Sequence, residues 1–203
     1  MIRNWIYVAT VLFSGAALAE VPDRAEDVQP LQVGDDAPTF TALDPNGAPV
    51  EFSAEGNRSL LIFYRGGWCP YCNRHLQALR DVVPTLASAG VDVLFLSADR
   101  PEKLAESLSE QNLDYRLLSD ASMAVSRAYG VAFRVDDETV EKYKGFGIDL
   151  EAASGYTHHQ LPVPAVYLVD ADGMIEFVHT NADYRVRLSA DALLSAAGVS
   201  SGD

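Results

Sequence analysis

The chain has 203 residues, with 29 Asp and Glu against 15 Lys and Arg, and a formal net charge of −14. A chain this acidic, without a basic stripe, repels phosphate backbones, which excludes a nucleic-acid partner. Its two cysteines form a single pair, too few for a zinc clip built from two such pairs.

The first residues read MIRNWIYVATVLFSGAALAE. Arg3 precedes an apolar run from Trp5 to Leu18, and Ala17-Leu18-Ala19 has the small-x-small form of a signal-peptidase site, so 1–19 is expected to be a secretory signal peptide. The run is short for a bilayer span and no stop-transfer segment follows. The expectation is an exported, periplasmic protein with no membrane contact after cleavage. Residues 20–32 are polar and contain Pro22 and Pro30, as a flexible lead-in would. Residues 33–199 are then one domain with room for a core.

Within that domain, Asn46-Gly47 between two alternating stretches predicts a hairpin. SLLIFY (59–64) is a buried strand. Leu76, Leu79, Val83 and Leu86 recur at helical spacing and predict a helix that Gly90 ends. VDVLFL (91–96) is a second buried strand, and Pro101 opens a helix carrying Leu104 and Leu108. A short strand at 115–118 and a short helix at 123–129 follow. The charged stretch 136–154 reads as a helical insertion covering part of the site. Two strands, 163–169 and 174–179, flank the turn at Asp170-Ala-Asp-Gly173, and a last helix starts at Ser189 as N-cap. Strands alternating with helices, closed by a hairpin and a helix, predict an α/β fold with a central mixed sheet flanked by helices.

The cysteines lie in YRGGWCPYCNRH, where a buried strand gives way to a helix. Gly66 and Gly67 permit a sharp turn, and Pro70 suits the first helical turn. Cys69 would sit at the positive end of the helix, where the unpaired N–H groups favour a thiolate. Cys72 falls one turn further in, within disulfide reach and less exposed. A loop this short gains only about 2 kcal/mol from a staple, so a working redox pair is the better use of it. Haem attachment would want His after the second cysteine, where this chain has Asn73.

VGDDAPTF, FYRGGWCPYCNRHLQAL, LPVPAVYLVDADGMIEF and DYRVR resemble the thioredoxin superfamily over Val33 to Ala197. More narrowly, they resemble the peroxiredoxin-like branch of the alkyl hydroperoxide reductase/thiol-specific antioxidant (AhpC/TSA) family, which implies a thioredoxin-like fold. The peroxiredoxin pattern P-x-x-x-T-x-x-C, laid on this chain, puts Cys72 at the peroxide-attacking position, Cys69 in place of the threonine and Arg65 in place of the proline. Where that family carries its peroxide-polarising arginine, this chain has Pro164. A proline there is the thioredoxin pattern, which implies a cis Val163–Pro164 bond facing the cysteines and exposing backbone to a substrate.

The resemblance therefore implies a thiol-disulfide oxidoreductase in which Cys69 attacks and Cys72 resolves. Trp68, Pro70, Tyr71 and Pro164 would position the substrate. Its partners would be thiol or disulfide proteins, or a hydroperoxide, and a redox partner that recharges the pair; no metal or organic cofactor is required. The alternative is a thiol peroxidase with the cysteine roles exchanged, in which Arg65 or Arg134 replaces the missing arginine. A reading of another class is copper binding by Cys69, Cys72, His158 and His159, similar to the Sco-type carriers. Asp183-Tyr184-Arg185 and Arg187 read as a structural salt-bridge cluster.

Overall fold

The computed structural model describes residues 20–53 and 55–200, so the expected signal peptide lies outside the described residues. Strands covered on both faces need no polar alternation, and the apolar runs of the chain become the middle of its sheet. These are β3 (Arg58–Tyr64), β4 (Val91–Ser97) and β8 (Ala165–Val169), each buried along almost its whole length. β3 and β4 run parallel, from Arg58 opposite Val91 to Tyr64 opposite Ser97. β4 pairs in the same sense with β5 (Arg116–Ser119). β8 runs antiparallel to both β3 and β9 (Ile175–Thr180). The hairpin of β1 (Phe40–Leu43) and β2 (Pro49–Phe52) joins the far edge where Leu43 meets Ser119. Among the described residues the order is β2-β1-β5-β4-β3-β8-β9, a mixed sheet of 7 strands. The Asn46-Gly47 turn forms as expected: the Asp44 carboxylate accepts the N–H groups of Asn46 and Ala48 at 2.8 Å, and Gly47 takes a φ of 80°.

Side chains alternate across β3, so it serves two cores. Leu60, Ile62 and Tyr64 face α1 (Pro70–Ala78), α2 (Val82–Ser88), α3 (Pro101–Gln111) and α7 (Ala190–Ala196) through Leu76, Leu86, Leu104 and Leu193. Leu61 and Phe63 face Val125, Tyr129 and Val131 around α4 (Ala124–Ala128). The stretch 136–154 folds as α5 (Asp137–Gly145) and α6 (Leu150–Ser154), beside a two-stranded ribbon of β6 (Ala132–Arg134) and β7 (Gln160–Pro162).

Three expectations are corrected. The single helix predicted through Leu76 to Leu86 is two, α1 and α2, interrupted at 79–81. Pro84 has no N–H to give the Arg80 carbonyl and its ring crowds that oxygen, so a continuous helix cannot pass. The 20–32 stretch is not a free lead-in: the Arg134 N–H bonds the Pro22 carbonyl, the Leu31 N–H bonds the Tyr129 carbonyl, and Val21, Val28 and Leu31 pack on the domain. The Val163–Pro164 bond is trans, the isomer favoured by about 0.5–1 kcal/mol. The Pro164 carbonyl is taken by the Asn181 N–H at 3.2 Å, and β8 starts only at Ala165.

Candidate active site

β3 ends at Tyr64 and α1 begins at Pro70, and the residues between them make the turn that carries the site. Gly66 has a φ of 153°, and a Cβ there would collide with the Trp68 indole nitrogen and the Asp99 carboxylate. A Cβ on Gly67 would strike the Ser107 hydroxyl. The tight passage is pinned from both sides: Asp99 Oδ2 accepts the Gly67 N–H at 2.7 Å, and Asn73 Nδ2 donates to the Gly67 carbonyl at 2.7 Å. Burial lifts the Asp99 carboxyl to about 7 against the pull of that N–H. Cys69 then lies at the N-cap of α1 and Cys72 in its first turn, as the spacing predicts.

Both are free thiols, and both are buried, at 2% exposure for Cys69 and 1% for Cys72. The expected contrast in exposure is absent, and the expected order of acidity is reversed. Cys69 is pushed far up, first by the hydrogen bond its thiol makes to Cys72, then by burial and by the Cys72 charge. Burial opposes ionisation of Cys72 as well. The Cys69 hydrogen bond, the Arg187 charge, the Arg65 main-chain N–H and a direct bond from Arg187 outweigh it and bring Cys72 down to about 6. The charge and donors gathered at Cys72 thus favour a thiolate there over one at Cys69.

The arginine responsible was missed at the sequence level. Arg187 Nη2 donates to Cys72 Sγ at 3.3 Å, across 115 residues of chain. The salt-bridge reading holds for its neighbour only: Arg185 grips Asp183 at 2.8 Å through both Nε and Nη2. Arg187 instead bonds the carbonyls of Tyr184 and Val186, which aim its other amine at the sulfur. Two arginines in DYRVR on alternate positions, one beside an acid and one beyond its reach, were the available signal.

Neither arginine expected to polarise a peroxide has its guanidinium bonded to a sulfur; each is engaged elsewhere. Arg134 is half exposed and bonds Asp137 at 2.5 Å. Arg65 is buried, at 4% exposure, and its guanidinium lies against Trp68, Tyr143 and Tyr184, 5.0, 5.3 and 4.4 Å from the ring centroids. Its Nη2 donates to the Tyr143 hydroxyl at 2.5 Å. This aromatic enclosure offsets the loss of water around the cation. Both arginines, with Pro164, Phe133 and Tyr184, line a cavity of about 240 Å³ beside the site. Trp68 is half buried against the core that holds the cysteines, Pro70 is the first helical residue, and Tyr71 meets Tyr184 edge-on at 5.6 Å.

The histidines are not brought to the sulfurs. His158 Nε2 bonds the Ala121 carbonyl and His159 Nε2 bonds Glu151, each at 2.8 Å. Among the described residues no group of three or more His, Cys, Asp and Glu side chains could hold a metal ion. The copper reading loses its ligand set.

A mixed sheet with a dithiol at a helix start next to its third strand defines a thioredoxin-like oxidoreductase. Residues 33–178 match the model of the AhpC/TSA family. The chain is 32% identical over 169 residues to peroxiredoxin Bcp of Escherichia coli strain K12, covering 83% of this chain and 96% of that one. The crystal structure of a peroxiredoxin-like protein from Aquifex aeolicus shares the fold with a TM-score of 0.65 at 16% identity, over 84% of this chain and 88% of that one. Peroxidoxin BcpB from Mycobacterium tuberculosis does so with a TM-score of 0.62 at 21% identity, over 83% and 95%. The chain belongs to the AhpC/TSA family.

Proposed function

We propose that the chain is a thiol peroxidase in which Cys72 attacks the peroxide and Cys69 resolves the product. The observation that carries this reading is the 3.3 Å contact of Arg187 with a Cys72 sulfur whose pKa falls to about 6. A cation held at the attacking sulfur also faces the oxygens on which charge develops as the O–O bond breaks.

The Cys72 thiolate attacks one oxygen of ROOH; an S–O bond forms, the O–O bond breaks, and RO⁻ leaves and takes a proton as ROH. Cys72 is then a sulfenic acid. Cys69 stands three positions earlier, at the N-cap of the same helix. Its sulfur displaces the hydroxyl, which leaves as water with the Cys69 proton, and the disulfide closes. A dithiol reductant reopens it by exchange and is itself oxidised. The disulfide exchange expected as the main activity thus becomes the resetting half-reaction. Burial of both sulfurs supports a peroxide as the substrate, because a peroxide needs far less room than a folded protein's disulfide.

Reduced protein mixed with hydrogen peroxide tests this by thiol loss. Consumption should outpace that of a free thiol and should stop in Cys72→Ser. Cys69→Ser should still react once, leaving a sulfenic acid on Cys72 that a dione reagent traps. The reverse pattern, with Cys69→Ser inert and Cys72→Ser active, would return the attacking role to Cys69.

A further inference from the structure

We propose that His75 is a positioning residue that holds Arg187 over Cys72, an inference that rests on the Cys72 reading above. Cys72 and His75 are three residues apart on α1 and so share one face, a turn apart. The chain opposite offers two consecutive residues to them. Arg187 reaches Cys72 Sγ, and the Leu188 carbonyl meets His75 Nε2 at 3.1 Å. A carbonyl oxygen only accepts, so Nε2 carries the proton and donates.

Two other acceptors of Arg187, the carbonyls of Tyr184 and Val186, belong to the same strap of chain as the arginine itself. They shape the side chain but cannot fix the strap to the helix. Among the described residues, the hydrogen bonds that tie the strap between Ala182 and Leu188 to α1 are Arg187 to Cys72 and Leu188 to His75, while its other end is held to β9's exit by the Asp183 N–H on Asn181 Oδ1 at 2.9 Å. Of the two bonds to α1, the second does not depend on the redox state of a sulfur. It therefore sets where Arg187 stands before Cys72 ionises and after it is oxidised.

His75 suits the task by being buried, at 7% exposure, and neutral. Burial, helped by the charge of Arg187, lowers it to about 4. A protonated ring here would repel Arg187. His75, Arg187, Leu188, Pro164 and His179 line a void of only about 10 Å³, so the strap packs closely on the ring.

The test reads the ionisation of Cys72 by ultraviolet thiolate absorbance against pH, alongside the rate of peroxide consumption. Arg187→Ala should raise the Cys72 pKa by about 1–3 units, the range an adjacent cation commands. His75→Leu, which keeps the volume and loses the donor, should raise it in the same direction by about one unit and slow the reaction about tenfold. His75→Gln, whose amide can still donate to Leu188, should restore most of both. The double variant His75→Leu/Arg187→Ala should titrate as Arg187→Ala does. An unmoved titration in folded His75→Leu, with Arg187→Ala shifted, overturns the role of His75 alone; additive shifts in the double variant do the same. An unmoved titration in Arg187→Ala overturns the reading of Cys72 and Arg187 and takes this one with it.

Discussion

At the scale of single residues, the site is decided by which of two sulfurs carries the charge. Position at the helix start favours both, since Cys69 is the N-cap and Cys72 lies in the first turn. What separates them is the Arg187 guanidinium, which donates to Cys72 and brings its charge there. The thiolate is the reactive form, and its fraction grows as pH rises through the pKa. With Cys72 at about 6, peroxide consumption should climb about tenfold per unit at low pH and level off near pH 7. An ordinary cysteine, with a pKa of about 8.5, would still be climbing there. A pH–rate profile measured on the reduced protein distinguishes the two curves; a midpoint near that of a free thiol removes Cys72 as the resident thiolate. The cysteines, Trp68 and Pro70 were legible because their spacing carries local geometry. Arg187 was not, since no periodicity joins it to a sulfur 115 residues away. Its role depends on where a strap without regular structure happens to lie.

At the scale of elements, the insertion of α5 and α6 meets the site through Trp68, which packs on the cluster of Val140 and Leu150, and through Tyr143. Tyr143 accepts a hydrogen bond from Arg65 Nη2 at its hydroxyl and sets its ring against both Arg65 and Trp68, the latter at 6.1 Å between centroids. Tyr143→Phe removes only the hydroxyl and leaves a buried guanidinium short of a partner, which should cost about 1–2 kcal/mol in denaturant unfolding. Tyr143→Ala also removes the stacking surface. Amide exchange across residues 137–154 should then quicken in the alanine variant and stay slow in the phenylalanine one; equal protection in both would mean that the insertion is held elsewhere. The insertion itself was legible from its charge and scattered apolar residues. The break between α1 and α2 was not, because Leu76, Leu79, Val83 and Leu86 keep one period through it. Periodicity reports which faces are buried, and Pro84 acts on the backbone instead.

For the whole molecule, the α/β architecture followed from apolar runs that alternate with helical spacing, and β3, β4 and β8 fall where those runs lie. What the runs could not reveal is order: β8 inserts beside β3 rather than beside β5, and only the register of Leu61 opposite Tyr167 and Leu60 opposite Leu168 makes that visible. Export belongs to this scale too. We propose that the protein works outside the cytoplasm, on the strength of Arg3, the apolar run after it and the Ala17-Leu18-Ala19 site. Expression in a bacterial host should deliver a periplasmic form whose first residue, by mass spectrometry, is Glu20. A full-length cytoplasmic product would defeat the proposal.

The sequence holds two tryptophans, Trp5 and Trp68, and cleavage after Ala19 would leave only the second. That indole packs on the core containing both sulfurs and lies within the enclosure of Arg65. The processed protein would therefore contain a built-in optical reporter: every change of charge or bonding at the dithiol falls on a single emitter. Each half-turn of the catalytic cycle could be timed by intrinsic fluorescence, with no dye attached.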